Sequence, residues 1–100
     1  MEQDGNKYKG QLLKRSETQN VVREGLGIMV YSDGAIYEGF WKDGLRCGRG
    51  RLVHATGDVY EGEWFDDAAH GYGVFSNSDG YTFEGQWIED QQQGAGVETW

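Results

Sequence analysis

Tyr37-Glu38-Gly39-Phe40-Trp41 returns as Tyr60-Glu61-Gly62-Glu63-Trp64 and again as Phe83-Glu84-Gly85-Gln86-Trp87, each copy 23 residues after the last. A Gly-x-Gly follows each of these three tryptophans by seven residues, at Gly48/Gly50, Gly71/Gly73 and Gly94/Gly96. Gly57 and Gly80 lie seven residues beyond the second glycine of the first two pairs, and one period upstream stand Gly25/Gly27 and Gly34. Several positions that obey one period over most of a chain mark an array of identical supersecondary units.

Tyr, Gly and Trp are two apart within the motif, so in a strand they share a face. The Gly-x-Gly segments, such as Gly71-Tyr72-Gly73-Val74-Phe75, also read as strands, with both glycines on one face. Turn signals separate them at Lys42-Asp43-Gly44, Asp33-Gly34, Thr56-Gly57-Asp58 and Asp79-Gly80. Each repeat is therefore one β-hairpin. The expected fold is all-β: a single-layer, twisted antiparallel sheet of successive hairpins, with strands near 26–31, 36–41, 48–53, 59–64, 71–76, 82–87 and 95–99. Glycine inside a strand costs roughly 0.5–1 kcal/mol against alanine. An aromatic ring laid over the bare backbone offsets that cost, since a ring buries on the order of 150–250 Å². The repeat-structural residues on this reading are Gly39, Gly48, Gly50, Gly62, Gly71, Gly73, Gly85, Gly94 and Gly96.

The run Tyr-x-Gly-x-Trp, then Gly-x-Gly, then Asp-Gly, at a spacing near 23, resembles the MORN repeat (membrane occupation and recognition nexus). The resemblance covers Gly25 to Gly96, and Tyr8-Lys9-Gly10-Gln11-Leu12 extends it as a degenerate first unit, with Leu12 in place of the tryptophan. Residues 1–100 form one domain: 1–24 the degenerate unit, 25–100 about three regular units. Leu13 to Arg23 is expected to be a lengthened hairpin loop with room for a helical turn.

A hundred residues make one small domain. A single-layer sheet holds little globular core, so rings and glycines must pack neighbour to neighbour. No apolar run is long enough to span a bilayer, and nothing at Met1-Glu2-Gln3-Asp4 reads as a secretory signal. Cys47 is the one cysteine, so no internal disulfide forms and a reducing, cytoplasmic compartment is expected.

Charge is unevenly spread. Nine basic and seven acidic residues up to Arg51 leave +2, and ten acidic residues with no Lys or Arg from Leu52 onward carry −10, which together give the net −8. One unit holds Lys42, Arg46, Arg49 and Arg51; the next holds Asp58, Glu61, Glu63, Asp66 and Asp67. Such a contrast either reflects a solvated surface whose charge drifts or orients a partner with its basic part over the acidic half.

Catalytic constellations are not expected. His70 and Cys47 are one period apart, hence two strands or roughly 9–10 Å, too far to share a zinc at about 2.0–2.3 Å from each. Glu38, Glu61 and Glu84 repeat at the same spacing, beyond paired acid–base work. No cofactor or metal follows. Gly48-Arg49-Gly50-Arg51 hints at phosphate, but a strongly negative chain disfavours nucleic acid. Some members of the resembled family are credited with binding phosphoinositides. Net negative charge opposes an anionic bilayer here, because each basic residue near such a surface is worth about 1 kcal/mol.

The aromatic rows are the candidate binding surface. Tyr37, Trp41, Tyr60, Trp64, Phe83 and Trp87 are expected to line an exposed, ribbed groove, with Glu61 and Glu63 supplying charge toward a basic segment of a protein partner. The expected function is a non-enzymatic scaffold or adaptor that docks a helix or peptide. The resemblance implies a cytoskeletal or ciliary assembly. The alternatives are a regulatory module for an enzyme on another chain, or a phosphoinositide-binding adaptor. Gly96-Val97-Glu98-Thr99-Trp100 stops midway through a unit, so its edge strand is expected to be covered by a second copy or another chain, with Trp100 buried in that contact.

Overall fold

A computed structural model describes residues 5–14 and 21–100. Those residues form β1 (Lys7–Lys14), β2 (Val21–Val30), β3 (Ile36–Lys42), β4 (Leu45–Val53), β5 (Val59–Phe65), β6 (Ala68–Ser76), β7 (Thr82–Ile88) and β8 (Gln91–Thr99), with no helix among them. The strands pair antiparallel in sequence order in one open sheet, 49 × 24 × 17 Å.

Glycines run across the sheet in register: Gly10↔Gly27, Gly27↔Gly39, Gly39↔Gly50, Gly50↔Gly62, Gly62↔Gly73 and Gly73↔Gly85. This bare line is a trough, and the rings lie in it. A Cβ on Gly50 would strike the Tyr37 ring, and one on Gly73 would strike the Tyr60 ring. A Cβ on Gly62 would meet the Cα of Gly73 and sit 2.6 Å from the Tyr72 carbonyl oxygen. Glycine is thus needed both for the ring and for close approach of neighbouring backbones.

Three expectations are corrected. Strands β4, β6 and β8 begin three or four residues earlier than expected, at Leu45, Ala68 and Gln91, because the preceding turns are only two residues long. Asp43-Gly44, Asp66-Asp67 and Glu89-Asp90 all have positive φ at both positions, the type I′ geometry that matches strand twist. The first glycine of each Gly-x-Gly does not share a regular face with the second. Gly25, Gly48, Gly71 and Gly94 have φ of 86°, 88°, 98° and 64°. On β4, Cys47-Gly48-Arg49 stands opposite the single Phe40, which is a bulge that only glycine enters without strain. Finally, Leu13 to Arg23 is not all loop: Leu13 pairs with Val22 and Lys14 with Val21. The helical turn expected there falls on residues 15–20, outside the described residues.

Candidate functional site

Strand alternation puts Tyr37, Gly39 and Trp41 on one face of β3 and Glu38, Phe40 and Lys42 on the other, and β5 and β7 repeat the pattern. The ring face is therefore built from Tyr8, Tyr37, Trp41, Tyr60, Trp64, Phe83 and Trp87. They contact one another edge to face in an unbroken zigzag: Tyr8–Trp41–Tyr37–Trp64–Tyr60–Trp87–Phe83, with centroids 5.0–5.7 Å apart. Such contacts add about 0.5–1.5 kcal/mol each beyond the area they bury.

Polar tips are satisfied locally. The Tyr37 hydroxyl donates to the Phe40 carbonyl at 2.9 Å and the Tyr60 hydroxyl to the Glu63 carbonyl at 3.0 Å. Each indole N–H reaches back to a glycine carbonyl of the preceding hairpin: Trp41 to Gly27 (3.2 Å) and Trp87 to Gly73 (3.2 Å), with the same bond at Trp64. Burial raises both phenols above their ordinary range. Tyr60, with the Glu63 carboxylate adding to the effect, is pushed up to about 12, and Tyr37 lies higher still.

The rows expected to be exposed are instead buried. Tyr37 is 0 % exposed, and Trp41, Tyr60, Trp64, Phe83 and Trp87 are buried with it. The rings lean over the glycine trough and shield one another, so a single sheet makes a dry layer without a second sheet above it. The acidic residues are also separated from the rings. Glu61 and Glu63 lie on the opposite face of β5. There Arg51 pairs across the strands with Glu61 and Arg49 with Glu63. Basic and acidic units interleave on that face, and Glu63 accepts the bulge N–H of Tyr72 at 3.1 Å. Trp100 is 88 % exposed, with its ring 4.6 Å from that of Tyr81.

Two guanidinium groups complete the ring face. Arg23 lies over Trp41 with Cζ 4.9 Å from the ring centroid, and Arg46 lies over Trp64 at 4.6 Å. Arg46 Nε also meets Asp67 Oδ1 at 2.8 Å, and its Nη2 donates to the Asp67 carbonyl at 2.8 Å. The sequence suggests for Arg46 only a part in the charge contrast between units, and for Arg23 only the end of a loop. Their role was visible only as a position 23 residues apart that falls just after each two-residue turn or strand start.

One period beyond Arg46 the position is Ala69, and there the face opens into a cavity of about 720 Å³. Leu52, Tyr60, Trp64, Ala69, Phe75 and Trp87 line it together with the polar Arg46, His54, Asp90, Gln91 and Gln92. Of the rings singled out in the sequence, the structure brings Tyr60, Trp64 and Trp87 together at a cavity, while Tyr37, Trp41, Phe83 and Trp100 do not line it. Five of its eleven lining residues are polar or charged, so the cavity sets an aromatic wall against a polar rim, a combination that suits a ligand with both characters.

Among the described residues no helix is long and apolar enough to cross a membrane. No curated protein matches this sequence closely enough to count as a relative. The family model for the MORN repeat matches residues 22–36, 37–59, 60–80 and 83–100, so four matched segments tile the sheet from β2 to β8, and the chain belongs to the MORN-repeat family.

Proposed function

We propose that the chain is a non-catalytic protein-binding module of a larger assembly, cytoskeletal or ciliary in setting, and that it receives a basic segment of its partner on the ring face of the C-terminal half. MORN repeats are in general modules that bind proteins or membranes. The observation that carries the reading is the cavity between Tyr60, Trp64 and Trp87, bordered by Asp90, in a half of the chain with no Lys or Arg after Arg51. Rings supply contact area at small entropic cost, and the net negative charge of the chain beyond Arg51 steers a basic ligand toward this half as a whole. The same reading seats a second chain, a copy or another protein, along β8, which has no strand on its outer side among the described residues.

Short peptides of equal length and matched composition, differing only in net charge, test the docking of a basic segment. The basic peptides should bind the immobilised chain, with association slowed as salt shortens the Debye length below its value of about 8 Å at physiological strength. Equal binding of acidic peptides would overturn the reading. So would capture by phosphoinositide vesicles with no peptide bound.

A further inference from the structure

Two successive units build the same cation seat and fill it with an arginine of their own. Arg23 covers Trp41 and donates from Nη2 to the Gly44 carbonyl at 2.9 Å. Arg46 covers Trp64 and donates to the equivalent carbonyl, that of Asp67, and to its carboxylate. In the next unit Ala69 stands where the arginine stood. We propose that the space above Trp87 is a socket for an arginine side chain of another protein, which docks there as Arg46 docks on Trp64.

Each receiving group is already in place. Tyr37 and Trp64, which hold Arg46 between them, meet at 5.3 Å and 86°; Tyr60 and Trp87 meet at 5.1 Å and 78°, with no guanidinium on them among the described residues. The turn is docked identically: Asp67 N–H donates to the Arg46 carbonyl at 3.0 Å, and Asp90 N–H to the Ala69 carbonyl at 3.0 Å. The carboxylate is placed identically too. Asp67 Oδ1 accepts the Arg46 backbone N–H at 3.2 Å, and Asp90 Oδ1 accepts that of Ala69 at 2.7 Å. The Ala69 side chain ends at Cβ and lines the cavity, beside Phe75, whose ring centroid is 6.4 Å from that of Trp87.

The chemistry selects arginine. A planar guanidinium stacks on an indole while its edge donates to a carboxylate and a carbonyl at once. An ammonium is a point charge that does not match this arrangement. Arg46 also lines the cavity, but its charge is held by Asp67, so it does not neutralise Asp90. A preformed ring pair and carboxylate lose little freedom on binding.

The inference rests on the docking reading only in taking the arginine from a protein. N-acetyl-arginine amide is the direct probe, with the lysine and citrulline amides as controls, and the indole N–H resonances of the full chain as the readout. The Trp87 indole should shift saturably with the arginine probe, while those of Trp41 and Trp64, already covered, should not. Ala69→Arg fills the seat from within, on a backbone that already carries arginine at position 46, and should abolish the shift. Asp90→Asn keeps an acceptor for the Ala69 N–H and should weaken the response about tenfold. No saturable Trp87 shift, an equal response to citrulline amide, or an undiminished response in Ala69→Arg would each overturn the socket. If basic peptides bind but bind Ala69→Arg as well as the parent, the socket fails and the docking reading stands. If the arginine probe shifts Trp87 while no basic peptide binds, the reverse holds.

Discussion

The indole N–H of Trp64 donates to the carbonyl of Gly50 at 3.1 Å, and Gly50 belongs to the hairpin before the one that Trp64 opens. Because Trp41 and Trp87 make the same bond to Gly27 and Gly73, each unit is keyed to its predecessor by a buried donor as well as by strand pairing. The Gly50 carbonyl has no second indole to turn to. Trp64→Phe keeps an aromatic ring and removes that donor. It should cost about 1–3 kcal/mol, read from denaturant melts, and a cost near zero would show that the indole bond does not couple the units.

Glycine substitutions should rank by strand spacing. A Cβ on Gly62 would run into the Gly73 backbone, whereas one on Gly85 would lie 3.2 Å from the Gly96 Cα and 3.1 Å from the Phe83 ring. Gly62→Ala should therefore lose stability toward the upper end of about 1–3 kcal/mol, and Gly85→Ala distinctly less. Equal losses in thermal or denaturant melts would remove the close-approach explanation.

Glu89 holds a left-handed backbone at φ 49° in a type I′ turn, where a long side chain is poorly suited. Asparagine tolerates that conformation. Glu89→Asn should stabilise the chain by about 0.5–1 kcal/mol, seen as a higher denaturant midpoint at unchanged slope.

Alkaline pH should unfold the ring layer. Tyr60 ionises at about 12 in the fold against 10.0 for an ordinary tyrosine, and Tyr37 is raised further, burial being the main cause in both. The folded chain thus holds these protons more tightly than the unfolded one. That contribution is complete below pH 10 and is lost as pH rises from there through about 12. Phenolate absorbance should show Tyr37 and Tyr60 ionising last among the tyrosines and together with the loss of near-ultraviolet dichroism. Early, independent ionisation of all tyrosines would contradict the burial.

Period and hairpin order were legible because Tyr-x-Gly-x-Trp has a spacing of two inside a spacing of 23. The tight turns were less so. Asp43-Gly44 carries the usual glycine, whereas Asp66-Asp67 and Glu89-Asp90 reach positive φ without one; after all three turns the strand begins before the Gly-x-Gly that marks it in the sequence. A bulge glycine such as Gly71 and a trough glycine such as Gly73 look alike in a sequence, although one bends the strand and the other admits a ring. Ring exposure was misread because a single layer suggests open faces, and the tilt of Tyr37 over Gly50 is a tertiary fact. The change from Arg46 to Ala69 was present in the sequence, yet it acquires meaning only once Arg46 is seen on Trp64.

The zigzag of rings is also a ruler. Equivalent points on it are two strands apart, about 9–10 Å, a distance that an extended chain covers in about three residues. Trp41, Trp64 and Trp87 are its graduations, and the residue at 23, 46 or 69 decides whether each carries a guanidinium of its own chain. A ligand lying across the strands meets a scale whose divisions are fixed by strand spacing and whose markings are set by one side chain per period. Exchanging that side chain shifts a mark and leaves the scale unchanged.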